Sequence, residues 1–184
     1  MATETLRPNG AGDETFLTPS AGANWECVDE ASHDSDTSHV STTGAGVTGD
    51  LYAKSSNSIG TGDTINSVTV YMVARITSIG RLINGQARNV IKENGVKTTA
   101  TAQSLTTSYV SYSTTYTTKP SNGSAWTKTD IDNLQIGVSL SAQSTTSRCT
   151  QVYVVVDYTP SGGGGSVSQK IIMPRQAIKR ASNY

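Results

Sequence analysis

His33 and His39 are the only imidazoles in the chain, and they lie within an acidic stretch carrying Asp29, Glu30, Asp34 and Asp36. Imidazole beside carboxylate is the composition of general acid–base chemistry, and clustered carboxylates are the hard oxygen ligands that Ca²⁺ takes. The spacing fits neither. There is no Asp-x-Asp-x-Asp-Gly loop with a distal Glu, no His-Glu-x-x-His, no Gly-x-Ser-x-Gly and no Gly-Lys-Ser/Thr phosphate loop. Turn hydrogen bonds and solubility account for the same acidic residues. No enzyme activity, cofactor or bound metal is therefore expected. Cys27 and Cys149 are outside any Cys-x-x-Cys spacing; they either pair, stapling an early strand to the last one, or serve as small buried residues. Carbohydrate binding calls for exposed aromatics among polar groups, for which Trp25, Trp126, Tyr109, Tyr112 and Tyr116 are candidates, although Trp in a sandwich is more often core.

A different chemistry is written at the end of the chain. After Asp157 there is no carboxylate side chain, and behind Gly162 to Gly165 come Lys170, Arg175, Lys179 and Arg180, interleaved with Ile171, Ile172, Met173 and Ile178. Cations alone would suit nucleic acid through counterion release. The interleaved apolar residues need a groove to enter, which favours protein docking and sets nucleic acid aside. The stretch 168–173 has the pattern of an added edge strand, and Pro174 stands where a short helix would begin. Extended, the residues after Pro160 reach roughly 70 to 80 Å. The run Gly162 to Ser166 is equally the composition of a linker to an appended peptide. At the other end, Pro8 to Ala53 contains no Lys or Arg but holds Asp13, Glu14, Glu26, Asp29, Glu30, Asp34, Asp36 and Asp50. That gradient reads either as a solvated acidic face or as head-to-tail complementarity between copies, and a homo-oligomer is expected.

The elements that must position these residues are strands. In Ile65–Ile76 the residues Val68, Val70, Met72, Ala74 and Ile76 alternate with Ser67, Thr69, Tyr71 and Arg75. Leu134, Ile136, Val138 and Leu140 alternate with Gln135, Gly137, Ser139 and Ser141, and Val152, Val154, Val156 and Tyr158 with Gln151, Tyr153 and Asp157. Period two with polar partners predicts antiparallel sheets with one wet face. Asn94-Gly95 between 89–93 and 96–99 predicts a tight hairpin. Further strands are predicted at 108–116, 25–28, 39–42 and 51–54, making about eight in all. Trp126 to Leu134, with Thr127 as cap, predicts one or two helical turns at one end of the sandwich.

The 184 residues, poor in charge and rich in Ser and Thr, fit one all-β domain: an antiparallel jelly-roll-like β-sandwich over 1–160, with one short helix and an extended C-terminal arm, a Gly-rich linker and basic, apolar docking segment over 161–184. The start lacks the basic and apolar regions of a secretory signal, and no segment is long enough to span a membrane. The residues Thr5-Leu-Arg-Pro8, Thr18-Pro-Ser-Ala-Gly22, Val28-Asp-Glu30 with Asp34 and Asp36-Thr37, Asp50-Leu-Tyr52, Ile65 to Tyr71, Leu105 to Tyr109 and Pro120 to Thr127 through Ile131 to Leu134 together resemble tailed-phage and prophage virion structural β-sandwich proteins. The resemblance spans the chain to about Tyr158 and carries no catalytic signature. It implies a virion accessory role, as capsid decoration or cement, head fibre or tail component. The expected partners are the major capsid protein or other virion subunits, the expected location is the virion after synthesis in the host cytoplasm, and no membrane is involved. The alternative is a glycan-binding adhesion module of a tail or fibre.

Overall fold

The structure is a computed structural model and describes residues 1–78 and 84–162. The strands are β1 (Ala2–Leu6), β2 (Pro8–Thr15), β3 (Thr18–Pro19), β4 (Val40–Thr42), β5 (Thr48–Lys54), β6 (Thr64–Ile76), β7 (Asn84–Glu93), β8 (Val96–Thr99), β9 (Gln103–Ser104), β10 (Val110–Tyr116), β11 (Gln135–Gln143) and β12 (Ser147–Thr159), with one helix, α1 (Lys128–Asp132). They form two six-stranded antiparallel sheets. The first runs β10-β6-β12-β4-β3, with β1 also paired to β12; the second runs β2-β5-β11-β7-β8, with β9 paired to β7. The fold is an all-β jelly-roll-like sandwich.

Period-two patterning places the core where expected. Val68, Val70, Met72, Ala74 and Ile76 of β6, Val152, Val154 and Val156 of β12, and Ile136, Val138 and Leu140 of β11 are all buried in one apolar cluster between the sheets. Burying each of the larger ones contributes about 1.5–3 kcal/mol. The hairpin forms as predicted: Glu93 pairs with Val96 across Asn94 (φ 48°) and Gly95 (φ 81°), two left-handed residues that match the strand twist. Helix α1 follows a Thr127 cap, whose side chain accepts from the Asp130 amide, and it delivers Ile131 and Leu134 to the core.

Three expectations change. Trp25–Val28 is not a strand; Asn24–Cys27 is a 3₁₀ turn, because Glu26 Oε2 accepts the Ala23 amide at 2.8 Å and the Asn24 side chain donates to Asp50 Oδ2 at 2.6 Å and to the Leu17 carbonyl at 2.8 Å. The chain also forms β1, β2, β3 and β9, which lack the apolar alternation of the other strands. Finally, Ser139 and Ser141 on the expected wet face of β11 are buried. Small residues let the neighbouring backbones close there: a Cβ on Gly137 would lie 2.0 Å from the Asp50 carbonyl oxygen.

Cys27 and Cys149 are both buried and free. Burial pushes the Cys149 thiol up to about 12. Among the described residues no helix is long and apolar enough to cross a membrane. The body closes firmly: β12 ends at Thr159, and the Ser161 amide donates to Asp63 Oδ1 at 2.8 Å while the Gly60 amide donates to Asp63 Oδ2 at 2.7 Å. Those amide bonds hold the Asp63 carboxyl below its usual range. The expected docking residues Lys170, Ile171, Ile172, Met173, Arg175, Ile178, Lys179 and Arg180 lie outside the described residues, as does all of the expected second segment after Gly162.

Candidate functional site

Alternation that sends Val70, Met72, Val152 and Val154 inward sends Tyr71 and Tyr153 outward on the two central strands of the first sheet. Register then decides what they meet. Tyr153 pairs with Tyr71, Tyr71 pairs with Ser113, and the pairing of Leu6 with Val154 sets the next residue, Arg7, beside Tyr153. Three strands and the residue that follows β1 therefore contribute one row, Ser113, Tyr71, Tyr153 and Arg7. The two rings are stacked, with centroids 4.7 Å apart and planes 5° from parallel. The separation equals the spacing of neighbouring strands, so both rings stand on edge with their faces turned along the row. The Arg7 guanidinium lies 5.1 Å from the Tyr153 centroid and closes that end of the stack. The next row on the same face is Thr115, Thr69, Val155 and Thr5, with Thr69 Oγ1 and Thr115 Oγ1 hydrogen-bonded at 2.9 Å.

The acidic loop 28–39 borders this face. Arg7 donates to the carbonyls of Glu30 at 2.6 Å and Ala31 at 3.2 Å, and Gln151 Nε2 donates to Glu30 O at 2.6 Å. Asp34 accepts from Ser38 Oγ at 2.9 Å and Thr150 Oγ1 at 2.9 Å, and Glu30 accepts from Ser38 Oγ at 2.5 Å. Asp36 binds Arg75 at 2.5 Å, Arg148 at 2.8 Å and the Tyr109 hydroxyl at 2.8 Å. Partial burial works to raise the Asp36 carboxyl, but the donors from Arg75, Tyr109 and Arg148 outweigh it and hold the group far below the usual carboxylate range. Tyr109 shows the converse: burial, then its bond to that carboxylate, pushes the phenol up to about 12. Burial pushes Glu30 up, and burial with the nearby Arg148 charge pulls His39 down.

These contacts place the residues picked out in the sequence. Asp34 and Asp36 anchor the loop to β6 and β12, with Glu30 tying the loop internally through Ser38, and among the described residues no three His, Cys, Asp or Glu side chains converge as a metal-holding group. Elsewhere in the acidic stretch Asp13 pairs with Lys92 and Glu14 with Lys97 at 2.7 Å, and buried Asp50 accepts from Asn24, Tyr52 and two amides. Of the aromatic candidates, Trp126 is buried, Trp25, Tyr112 and Tyr116 pack against the core, and Tyr109 belongs to the Asp36 cluster with His33 near its ring. The aromatic pair on the outer face is instead Tyr71 and Tyr153, which alternation alone puts on that side.

Among the described residues no enclosed pocket is present, and the outer sheet face is the surface with aromatic and hydroxyl groups arrayed together. No family model matches the chain, and no curated protein matches it. Among solved structures it is similar to one described as "CBM4 structure and function", at 15% identity over 65% of this chain and 70% of that one with a TM-score of 0.36. It is also similar to a family 16 carbohydrate-binding module, at 10% identity over 66% and 78% of the two chains, again with a TM-score of 0.36.

Proposed function

We propose that this chain is a structural β-sandwich of a phage virion that decorates or cements the capsid and is not an enzyme. Attachment runs through residues 161–184 to the major capsid protein or to neighbouring copies, with Lys170 to Met173, Arg175 and Ile178 to Arg180 as the docking residues. The observation that supports this most is how the body ends. Strand β12 finishes at Thr159 and Asp63 fixes Ser161, which places the last described residues at one end of the sandwich. Thr159 is about 20 Å along the strand from Tyr153. The resemblance of several short segments, in order, to virion β-sandwich proteins supports the same reading. Protein lacking residues 163–184 is expected to keep the thermal unfolding transition of the full chain and to stop cosedimenting with particles. Cosedimentation equal to that of the full chain overturns the proposal.

A second reading, a tail or fibre module that binds glycans, is favoured by the Tyr71–Tyr153 stack, because aromatic faces beside hydroxyl groups suit sugar rings. Saturable binding on a glycan array separates it from a pure cement protein, which binds none.

A further inference from the structure

The stack of Arg7, Tyr153 and Tyr71 is closed at one end and open at the other. Beyond Tyr71 the row continues to Ser113 on β10, the last strand of the sheet, and Ser113 is exposed. Strand spacing puts the Ser113 backbone about 4.8 Å from that of Tyr71. A serine fills little of the space above the sheet at that step, so a slot floored by β10, walled by the outer face of Tyr71 and open on its far side lies there. Ser111 and Thr115, the outward neighbours of Ser113 on β10, are exposed and line it with hydroxyls, as does Thr69 one row along.

Charge narrows the occupant. Arg75 and Arg148 share Asp36, Arg7 is engaged by two carbonyls and a ring, the outward Asp157 is held by Asn66 at 2.7 Å, and the residues lining the slot, Ser111, Ser113, Thr115 and Thr69, carry no charge. A polyanion finds no uncommitted cation on these strands, and a cation finds no cluster of free carboxylates. What fits is a neutral ligand with one flat C–H face and a rim of hydroxyls. We infer that the slot between Tyr71 and Ser113 binds one pyranose unit of a neutral glycan, stacked on Tyr71 and hydrogen-bonded by Ser111, Ser113, Thr115 and Thr69. The inference rests on the glycan-binding reading and adds to it the site and the charge class of the sugar.

The test is a titration of the full chain, followed by calorimetry, with neutral β-linked hexose and N-acetylhexosamine oligomers and with a uronic-acid oligomer of matched length. Two variants act on the slot in opposite ways. Tyr71→Ala removes the stacking wall, and Ser113→Tyr fills the slot from an exposed edge strand where a larger side chain is accommodated. The full chain is expected to bind a neutral oligomer, and each variant to lose about tenfold or more in affinity. Tyr112→Phe, on the opposite side of β10, is expected to bind as the full chain does. Binding of neutral sugar that survives both variants overturns the site while leaving the glycan reading standing. Preference for the uronic-acid oligomer overturns the charge class, and no binding to any oligomer overturns the site and the glycan reading together.

Discussion

Asp50 is a buried carboxylate surrounded by donors: the amides of Phe16 at 2.6 Å and Leu17 at 2.8 Å, Asn24 Nδ2 at 2.6 Å and the Tyr52 hydroxyl at 3.0 Å. Removing it leaves those donors buried without an acceptor, so Asp50→Ala is expected to cost about 2–5 kcal/mol in urea unfolding. Asp130 makes the matching case for pH. Burial works to raise its carboxyl, but hydrogen bonds from Thr127, Asn94 and Lys119 prevail and hold it at about 2. A carboxyl depressed in the folded state stabilises it above the ordinary value and loses that contribution as pH falls to the folded value. Thermal stability is therefore expected to drop by ~2 kcal/mol between about pH 4 and pH 2, a part of the acid profile that Asp130→Asn removes. At the surface, Asp36→Asn is expected to cost no more than ~1 kcal/mol, because the carboxylate is half exposed. The same change should bring the Tyr109 phenol part of the way down from about 12, followed by its absorbance on alkaline titration.

At the scale of the element, two glycines act for different reasons. Gly95 adopts a φ of 81° in the hairpin, so Gly95→Val is expected to cost ~1–2 kcal/mol through the left-handed backbone alone. Gly137 has no such conformation but lies against the Asp50 carbonyl, so Gly137→Ala must push β5 away from β11 and is expected to cost ~1–3 kcal/mol or more. Chemical denaturation of both variants gives the ranking. Elements with strong apolar alternation were legible in the sequence: β6, β11, β12, the hairpin and α1 follow from side-chain period, Asn94-Gly95 and the Thr127 cap. β1 and β2 were not, since Thr, Glu, Gly and Ala give no apolar stripe and their pairing depends on distant partners such as Tyr158 for Ala2. The same limit governs the site. Alternation turns Tyr71 and Tyr153 outward, but only register makes them neighbours, and the Asp36 cluster joins residues 39 and 112 positions apart that no local pattern links.

Across the whole molecule, Asp13, Glu14 and Asp36 of the acidic first third pair with cations of the same body, whereas Glu26, Glu30, Asp34 and Asp50 are held by uncharged donors. The pairing of Ala2 with Tyr158 has a separate consequence. The first strand and the last strand of the body lie side by side, so both ends of the compact part meet at one end of one sheet. Joining residue 160 to residue 2 through a few glycines, and opening the chain between exposed Asn122 and Gly123, is expected to give a permuted protein with the near-ultraviolet circular dichroism of the original. Opening it within β6 is expected to abolish that signal. A body whose chain enters and leaves through one doorway can also be spliced into a surface loop of an unrelated host without prising that loop apart.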